Sequence, residues 1–125
     1  MKEIVTSSNA PAAIGPYSQA IKAQGMLYVS GQIPVDPSTG KVIEGIVKAT
    51  HQVMLNLQAI LQEAGLDFKD VVKSTIFLKN MDDFHEMNEV YASYLDKESY
   101  PARETVQVSC LPKNVDVEIS MIAVL

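Results

Sequence analysis

Between Gly45 and Gly65 the apolar residues Ile46, Val53, Met54, Leu57, Ile60, Leu61 and Ala64 recur at helical intervals, with almost nothing that would break a helix. Such a stripe specifies one long amphipathic helix with a single face to bury. Gly65 stands where a left-handed residue commonly closes the last turn. Phe84, Met87, Tyr91, Tyr94 and Leu95 mark a second helix. It is expected to begin near Asp82 or Asp83, whose carboxylates are placed to cap free amides, and to stop before Tyr100-Pro101. The remaining patterned segments are β-like, so two helices have to serve a whole sheet and can cover only one of its faces.

The β segments follow from alternation and turn chemistry. Lys2 to Thr6 predicts a short edge strand, and Pro11, Gly15 and Pro16 make Ala10 to Tyr17 a shaped loop. From Ser18 to Gln32 two apolar runs flank Gln24-Gly25, which predicts a β-hairpin whose second run (Met26 to Val29) is closed by Ser30-Gly31. Val35 to Gly40 is a turn. Val71 to Lys79 predicts a strand with Val72, Ile76 and Leu78 on one side and Lys73, Thr75 and Lys79 on a wetter one. Two further runs, Thr105 to Cys110 and Val115 to Leu125, are separated by Leu111-Pro112-Lys113-Asn114, enough to turn an antiparallel pair. The expected order is β-β-β-α-β-α-β-β, an α+β two-layer domain with both helices on one face of the sheet. Val106, Val108, Cys110, Ile122 and Val124 would line the uncovered face, and self-association is the simplest cover for it.

Composition narrows the function. With 125 residues, 47% of them hydrophobic, residues 1–125 make one domain. No apolar run is long enough to span a membrane, and the N-terminus enters polar sequence without a secretory leader, so a soluble cytoplasmic protein with no membrane partner is expected. One cysteine and two histidines give neither an internal disulfide nor metal-ligand spacing, so no metal is expected. A net charge of −5, ten scattered basic residues and no tryptophan argue against a nucleic-acid partner.

A few residues could carry chemistry. Arg103, where the chain enters a strand behind Pro101-Ala102, is either a planar clamp for a carboxylate or a surface arginine paired with Glu104. Glu118 shares a strand face with Asp116, Ser120 and Ile122. It points idly outward, or it is partly desolvated at a subunit contact and holds a water. Tyr17 overhangs a pocket or packs on a sheet edge, Gly31 offers a bare amide or merely a turn, and Asn88 falls on the polar side of its helix. Cys110 alternates in phase with Val106 and Val108 and reads as a buried, inert thiol. His51 and His85 read as surface residues without a visible partner.

Taken together, Ala10-Pro11-Ala12-Ala13-Ile14-Gly15-Pro16-Tyr17-Ser18-Gln19, Ser30-Gly31-Gln32-Ile33-Pro34, Pro101-Ala102-Arg103, Leu111-Pro112-Lys113 and Val117-Glu118-Ile119 resemble the RidA (reactive intermediate deaminase, YjgF-type) family along the whole chain. The resemblance implies a chorismate-mutase-like fold with a mixed sheet, assembled as a homotrimer whose sheets form a central barrel, with active sites in clefts between subunits. It implies that Arg103 pairs with a substrate carboxylate and that Glu118 holds the hydrolytic water. Tyr17, Ser30, Gly31, Asn88 and Thr105 would line the cleft, Gly31 and Thr105 through backbone groups. The implied reaction is hydrolysis of 2-aminoacrylate, 2-iminopropionate or 2-iminobutyrate to 2-keto acids and ammonia, a form of metabolite damage control needing no cofactor. The substrates would come from pyridoxal-phosphate-dependent dehydratases.

Two departures from the family pattern stand out. Thr105 occupies a position where relatives commonly have cysteine, and Glu104 replaces a small residue, adding a charge that would weaken the anion clamp. Two rival readings are a non-catalytic regulatory trimer that senses keto acids and a ribonuclease or translation inhibitor. The acidic composition opposes the second.

Overall fold

The computed structural model describes residues 1–125. The chain runs β1 (Glu3–Val5), β2 (Ala20–Ala23), β3 (Met26–Gln32), α1 (Ile46–Glu63), β4 (Val71–Leu78), α2 (Phe84–Ser93), β5 (Ala102–Gln107) and β6 (Val117–Val124). The predicted element order is therefore observed. Short 3₁₀ turns at Phe68–Asp70, Met81–Asp83 and Pro112–Asn114 punctuate it.

The strands form one six-stranded sheet in the order β1-β2-β3-β6-β4-β5, antiparallel except for the parallel pair β4 and β5. Helical crossovers explain this arrangement. A strand reached through a returning helix runs parallel to the one it left, so β3, β4 and β5 share a direction. β6 then inserts between β3 and β4, antiparallel to both. This corrects the expected β5–β6 hairpin. The segment after β5 crosses the end of β4, where Leu78 O accepts from Val108 N and Asp116 O from Lys79 N, both at 3.0 Å. Lys113 and Asn114 take φ of 55° to make the corner. The strand also starts and stops earlier than predicted, at Ala102 and Gln107, so Cys110 lies outside it and is exposed, not buried.

The two helices cover one face. Ala49, Val53, Met54, Leu57, Ile60 and Leu61 of α1 are buried in one cluster with Leu27, Ile76, Leu78, Val117, Ile119, Met121 and Ala123 of the sheet. Each large side chain there contributes about 1.5–3 kcal/mol by leaving water. α1 ends as predicted. Gly65, at φ 78°, donates to Gln62 O, and Leu66 N reaches back to Leu61 O at 2.8 Å, which closes the last turn. The start of α2 differs from expectation. Asn80 Oδ1 accepts from Asp82 N at 2.9 Å and caps the 3₁₀ turn that leads into the helix, while Asp83 makes no capping bond through its side chain.

Two strand details also depart from simple alternation. Between Val71 and Lys73 the register against β6 slips by one residue, so Val71 is buried and Val72 exposed, the reverse of the expected facing. Gly31 lies inside β3, next to a second irregularity against β6, and does not terminate it. The hairpin turn itself is Gln24-Gly25, both with positive φ, as predicted for two-residue loops.

The second face stays open within the chain. Tyr28, Val106 and Val124 are each more than two-fifths exposed, and Ile21, Tyr28 and Ile122 border a shallow depression there with Lys73, Thr75 and Ser120. No helix is long and apolar enough to cross a membrane.

Candidate active site

Strand parity decides where the two charged candidates point. Arg103 faces Ser74 across the parallel ladder, and Ser74 is fully buried beneath α2. Arg103 thus belongs to the helix side of the sheet. Val117, Ile119, Met121 and Ala123 are buried under the helices, so Glu118, opposite Phe77, belongs to the open side. One chain therefore does not bring Arg103 and Glu118 together; it builds two separate half-sites.

The first half-site surrounds Arg103. Its Nη1 donates to Asn88 Oδ1 at 2.5 Å. Its Cζ lies 5.3 Å from the ring centroid of Tyr91 and 5.6 Å from that of Phe84, within cation–π range of both. Asn88, Tyr91, Ala92, Tyr100, Pro101 and Arg103 line a cavity of about 260 Å³. Burial pushes the Tyr91 hydroxyl above its ordinary pKa, opposed by its hydrogen bond with Ser74 and the charge of Arg103, so it is a neutral donor at physiological pH. Thr105 lies two residues along on the same strand with its Oγ1 buried and unpartnered. β5 is an edge strand, so one row of its backbone groups is unpaired within the chain. Glu104 alternates to the other face and pairs with Lys73 at 3.2 Å, so the expected weakening of the Arg103 clamp is not built into the fold.

The second half-site surrounds Glu118. A cavity of about 590 Å³ is lined by Tyr17, Ser30, Gly31 and Glu118, together with the loop residues Pro11, Ile14 and Ile33 and with Lys113. Burial alone raises the Glu118 carboxyl above its ordinary range. Gly31 is required by space: a Cβ built on it would lie 2.6 Å from Glu118 Oε2 and 2.8 Å from its Cδ. Neither a turn, as its sequence context suggests, nor a positive φ accounts for it. Ser30 Oγ donates to Ser18 O at 2.6 Å, so this hydroxyl stitches β3 to the preceding loop. Tyr17 is half exposed over the cavity, its hydroxyl accepting from Ile14 N at 3.4 Å.

Two buried amides hold the walls of this cavity and were not singled out from the sequence. Gln19 Oε1 accepts from Ser7 N at 2.6 Å while its Nε2 donates to Pro11 O at 2.8 Å. Asn56 Nδ2 donates to Val35 O and Ile33 O at 3.0 and 3.2 Å. The available signal was a polar residue set within the apolar stripe of α1. The histidines lie outside both half-sites and are exposed, and each does have a neighbour: His51 Nδ1 is 2.8 Å from the Tyr94 hydroxyl, and His85 Nε2 is 2.7 Å from Glu89.

The fold and its cavities define the class: an α+β domain with one open sheet face, an arginine flanked by aromatic rings in one cavity and a partly desolvated glutamate in another. Residues 7–125 match the family model described as endoribonuclease L-PSP. A RutC family protein of Pyrococcus horikoshii is 55% identical over 98% of both chains. The mouse 2-iminobutanoate/2-iminopropanoate deaminase is 45% identical over 99% of this chain and 92% of its own. A solved structure of the Rid family protein YyfA from Yersinia pestis, described as of unknown function, superimposes with a TM-score of 0.97 at 48% identity over the whole of both chains. The chain belongs to this family, the Rid (RutC, YjgF-type) proteins.

Proposed function

We propose that the protein hydrolyses reactive 2-enamine and 2-imine acids, among them 2-aminoacrylate, 2-iminopropionate and 2-iminobutyrate, to 2-keto acids and ammonia. The observation that carries this reading is the pair of half-sites, a guanidinium shaped for a carboxylate and a carboxyl with raised pKa over open space. The mouse relative's name supports the same chemistry.

Because the two groups lie on opposite faces of one sheet, the active cleft is formed when Arg103 of one chain meets Glu118 of the next. A homotrimer with the open sheet faces turned inward does this and covers the apolar surface around Tyr28, Val106 and Val124. Arg103 holds the substrate carboxylate by paired N–H donors while Asn88 occupies one Nη1 hydrogen. Tyr17 and the backbone at Gly31 and Thr105 border the remainder of the substrate.

The chemistry needs little more than orientation. An enamine first takes a proton at its β-carbon to become the iminium. Glu118 accepts a proton from water as the water oxygen bonds to the imine carbon, giving a tetrahedral carbinolamine. That proton then passes from Glu118 to nitrogen, Glu118 takes the carbinol O–H proton as the carbonyl forms and the C–N bond breaks, and the released ammonia picks up that proton to leave as ammonium, regenerating the carboxylate. Desolvation suits Glu118 to this exchange, since burial raises the proton affinity of a carboxyl that has to take up and return a proton.

The test is a coupled assay in which a dehydratase generates the imine and semicarbazide competes for it. Faster keto-acid release with less trapped product, abolished in Arg103→Ala, is the expected result. An unaltered trapping rate with a verified trimer would favour the regulatory keto-acid sensor, which needs Arg103 but no water-holding Glu118. The family description favours one further reading, cleavage of RNA. It requires salt-dependent RNA binding, which a chain of net charge −5 with scattered cations is expected to lack.

A further inference from the structure

Phe84, Asn88 and Tyr91 stand at i, i+4 and i+7 of α2 and so present one face to Arg103. Two of the three contacts are aromatic, yet only Tyr91 carries a hydroxyl, and that hydroxyl is buried. It donates to Ser74 Oγ at 2.8 Å, with Tyr91 only 4% exposed and Ser74 not at all. Ser74 is also the residue in register with Arg103 on the neighbouring strand. The contacts thus close a loop: Arg103 rests on the Tyr91 ring, the ring is tethered to Ser74, and Ser74 lies beside the Arg103 backbone.

A phenylalanine facing an alanine would fill similar space without burying two hydroxyls, and a buried hydroxyl is tolerated only when paired. What the pair adds is direction. The hydrogen bond fixes how far the ring reaches along β4, and the ring in turn bounds one side of the guanidinium, whose Cζ lies 5.3 Å from its centroid. Asn88 then sets rotation within that plane by taking one Nη1 hydrogen.

We propose that Ser74 and Tyr91 act as a positioning pair for Arg103, holding its guanidinium in the plane that presents its free N–H groups to a substrate carboxylate. The inference rests on the reading of Arg103 as the carboxylate clamp. It assigns the pair no contact with the reacting atoms.

The experiment compares wild type, Tyr91→Phe, Ser74→Ala and the double variant for imine hydrolysis, binding of 2-oxobutyrate and thermal stability. Tyr91→Phe is expected to raise KM and the 2-oxobutyrate Kd by roughly three- to tenfold, about 0.7–1.4 kcal/mol, with kcat nearly unchanged, since the ring remains beside the guanidinium but loses its tether to Ser74. Each single variant orphans one buried hydroxyl or the space beside it, so stability drops. The double variant removes both partners and is expected to recover stability but not KM, a split that a purely structural pair would not give.

In an Arg103→Lys background, Tyr91→Phe should add little further loss of binding, because the planar fork is already gone. Unchanged KM and Kd in the single variants of an active enzyme would overturn the pair alone. So would recovery of KM together with stability, or an equal loss in the Lys background. Wild-type protein that neither hydrolyses the imine nor binds 2-oxobutyrate would remove the carboxylate clamp, and the positioning pair with it.

Discussion

Around Arg103, side chains of α2 converge on one guanidinium: Asn88 accepts from it, Phe84 and Tyr91 lie within cation–π range of it, and Ser74 of β4 anchors Tyr91. Around Glu118 the arrangement is the opposite. Its carboxylate lies over the bare Cα of Gly31, is pushed toward neutrality by burial alone, and faces a cavity whose walls are held at a distance by Gln19 and Asn56. The contrast suits the roles proposed above: an anion clamp needs a fixed fork, which contacts supply, whereas a water-handling carboxylate needs room and a raised proton affinity, which a missing side chain and a shaped void supply.

The separation of the two half-sites gives the largest expected effect. Arg103→Ala and Glu118→Gln should each reduce hydrolysis by on the order of 100-fold or more, since each removes a charge-dependent contact to substrate or water. Trimers assembled from an equal mixture of the two variants should recover about a quarter of wild-type activity, because chance assembly pairs an intact Arg103 with an intact Glu118 across that share of contacts. No recovery from mixtures shown by native mass spectrometry to contain both chains would mean that the cleft is not shared between chains.

Gly31→Ala tests the other half of the contrast. A methyl group 2.6 Å from Glu118 Oε2 must displace the carboxylate, and the expected outcome is at least a tenfold fall in kcat with 2-oxobutyrate binding within a few-fold of wild type. Equal losses in kcat and binding would indicate that Gly31 shapes the carboxylate-binding side as well. A smaller effect is expected from Asn56→Ala, which frees two loop carbonyls at the cavity wall. Stability should fall by about 1–3 kcal/mol in denaturant titration, and KM should rise more than kcat falls.

Much of this organisation is legible along the chain, and the remainder fails for identifiable reasons. The stripe from Ile46 to Ala64 and the alternation through Glu118 fix which side of each element is buried, because burial follows local period. The Gln24-Gly25 hairpin is legible for the same local reason. Strand order is not local. Nothing in Leu111 to Asn114 says that the chain must cross β4 and enter the sheet between β3 and β4, so alternation alone carries the strand on to Cys110, three residues past its observed end. The slip at Val72 is a single extra residue that reverses facing without a sequence mark. The candidate site was legible as a set of residues but not as two halves. That division needs the registers of β4 with both β5 and β6, which place Arg103 and Glu118 on opposite faces.

The smallest expected effect separates the cost of the Glu118 void from its catalytic use. Its carboxyl is raised from an ordinary value of 4.5, so the folded chain binds a proton there more tightly than the unfolded chain does. Stability from this group is therefore greatest below pH 4.5 and declines as pH rises through the higher folded value, after which the ionised carboxylate is a constant burden. Because the group is only half-buried, solvent keeps that burden small. Glu118→Gln should remove it. The variant should be as stable as wild type or slightly more so at neutral pH, and its stability relative to wild type should fall as the pH is lowered through that window, opposite in sign to its loss of hydrolysis. If Glu118→Gln were instead less stable at neutral pH in matched thermal melts, the ionised carboxylate would have a stabilising partner in the assembled protein, and the void would be better described as an ion-pair site completed by the neighbouring chain.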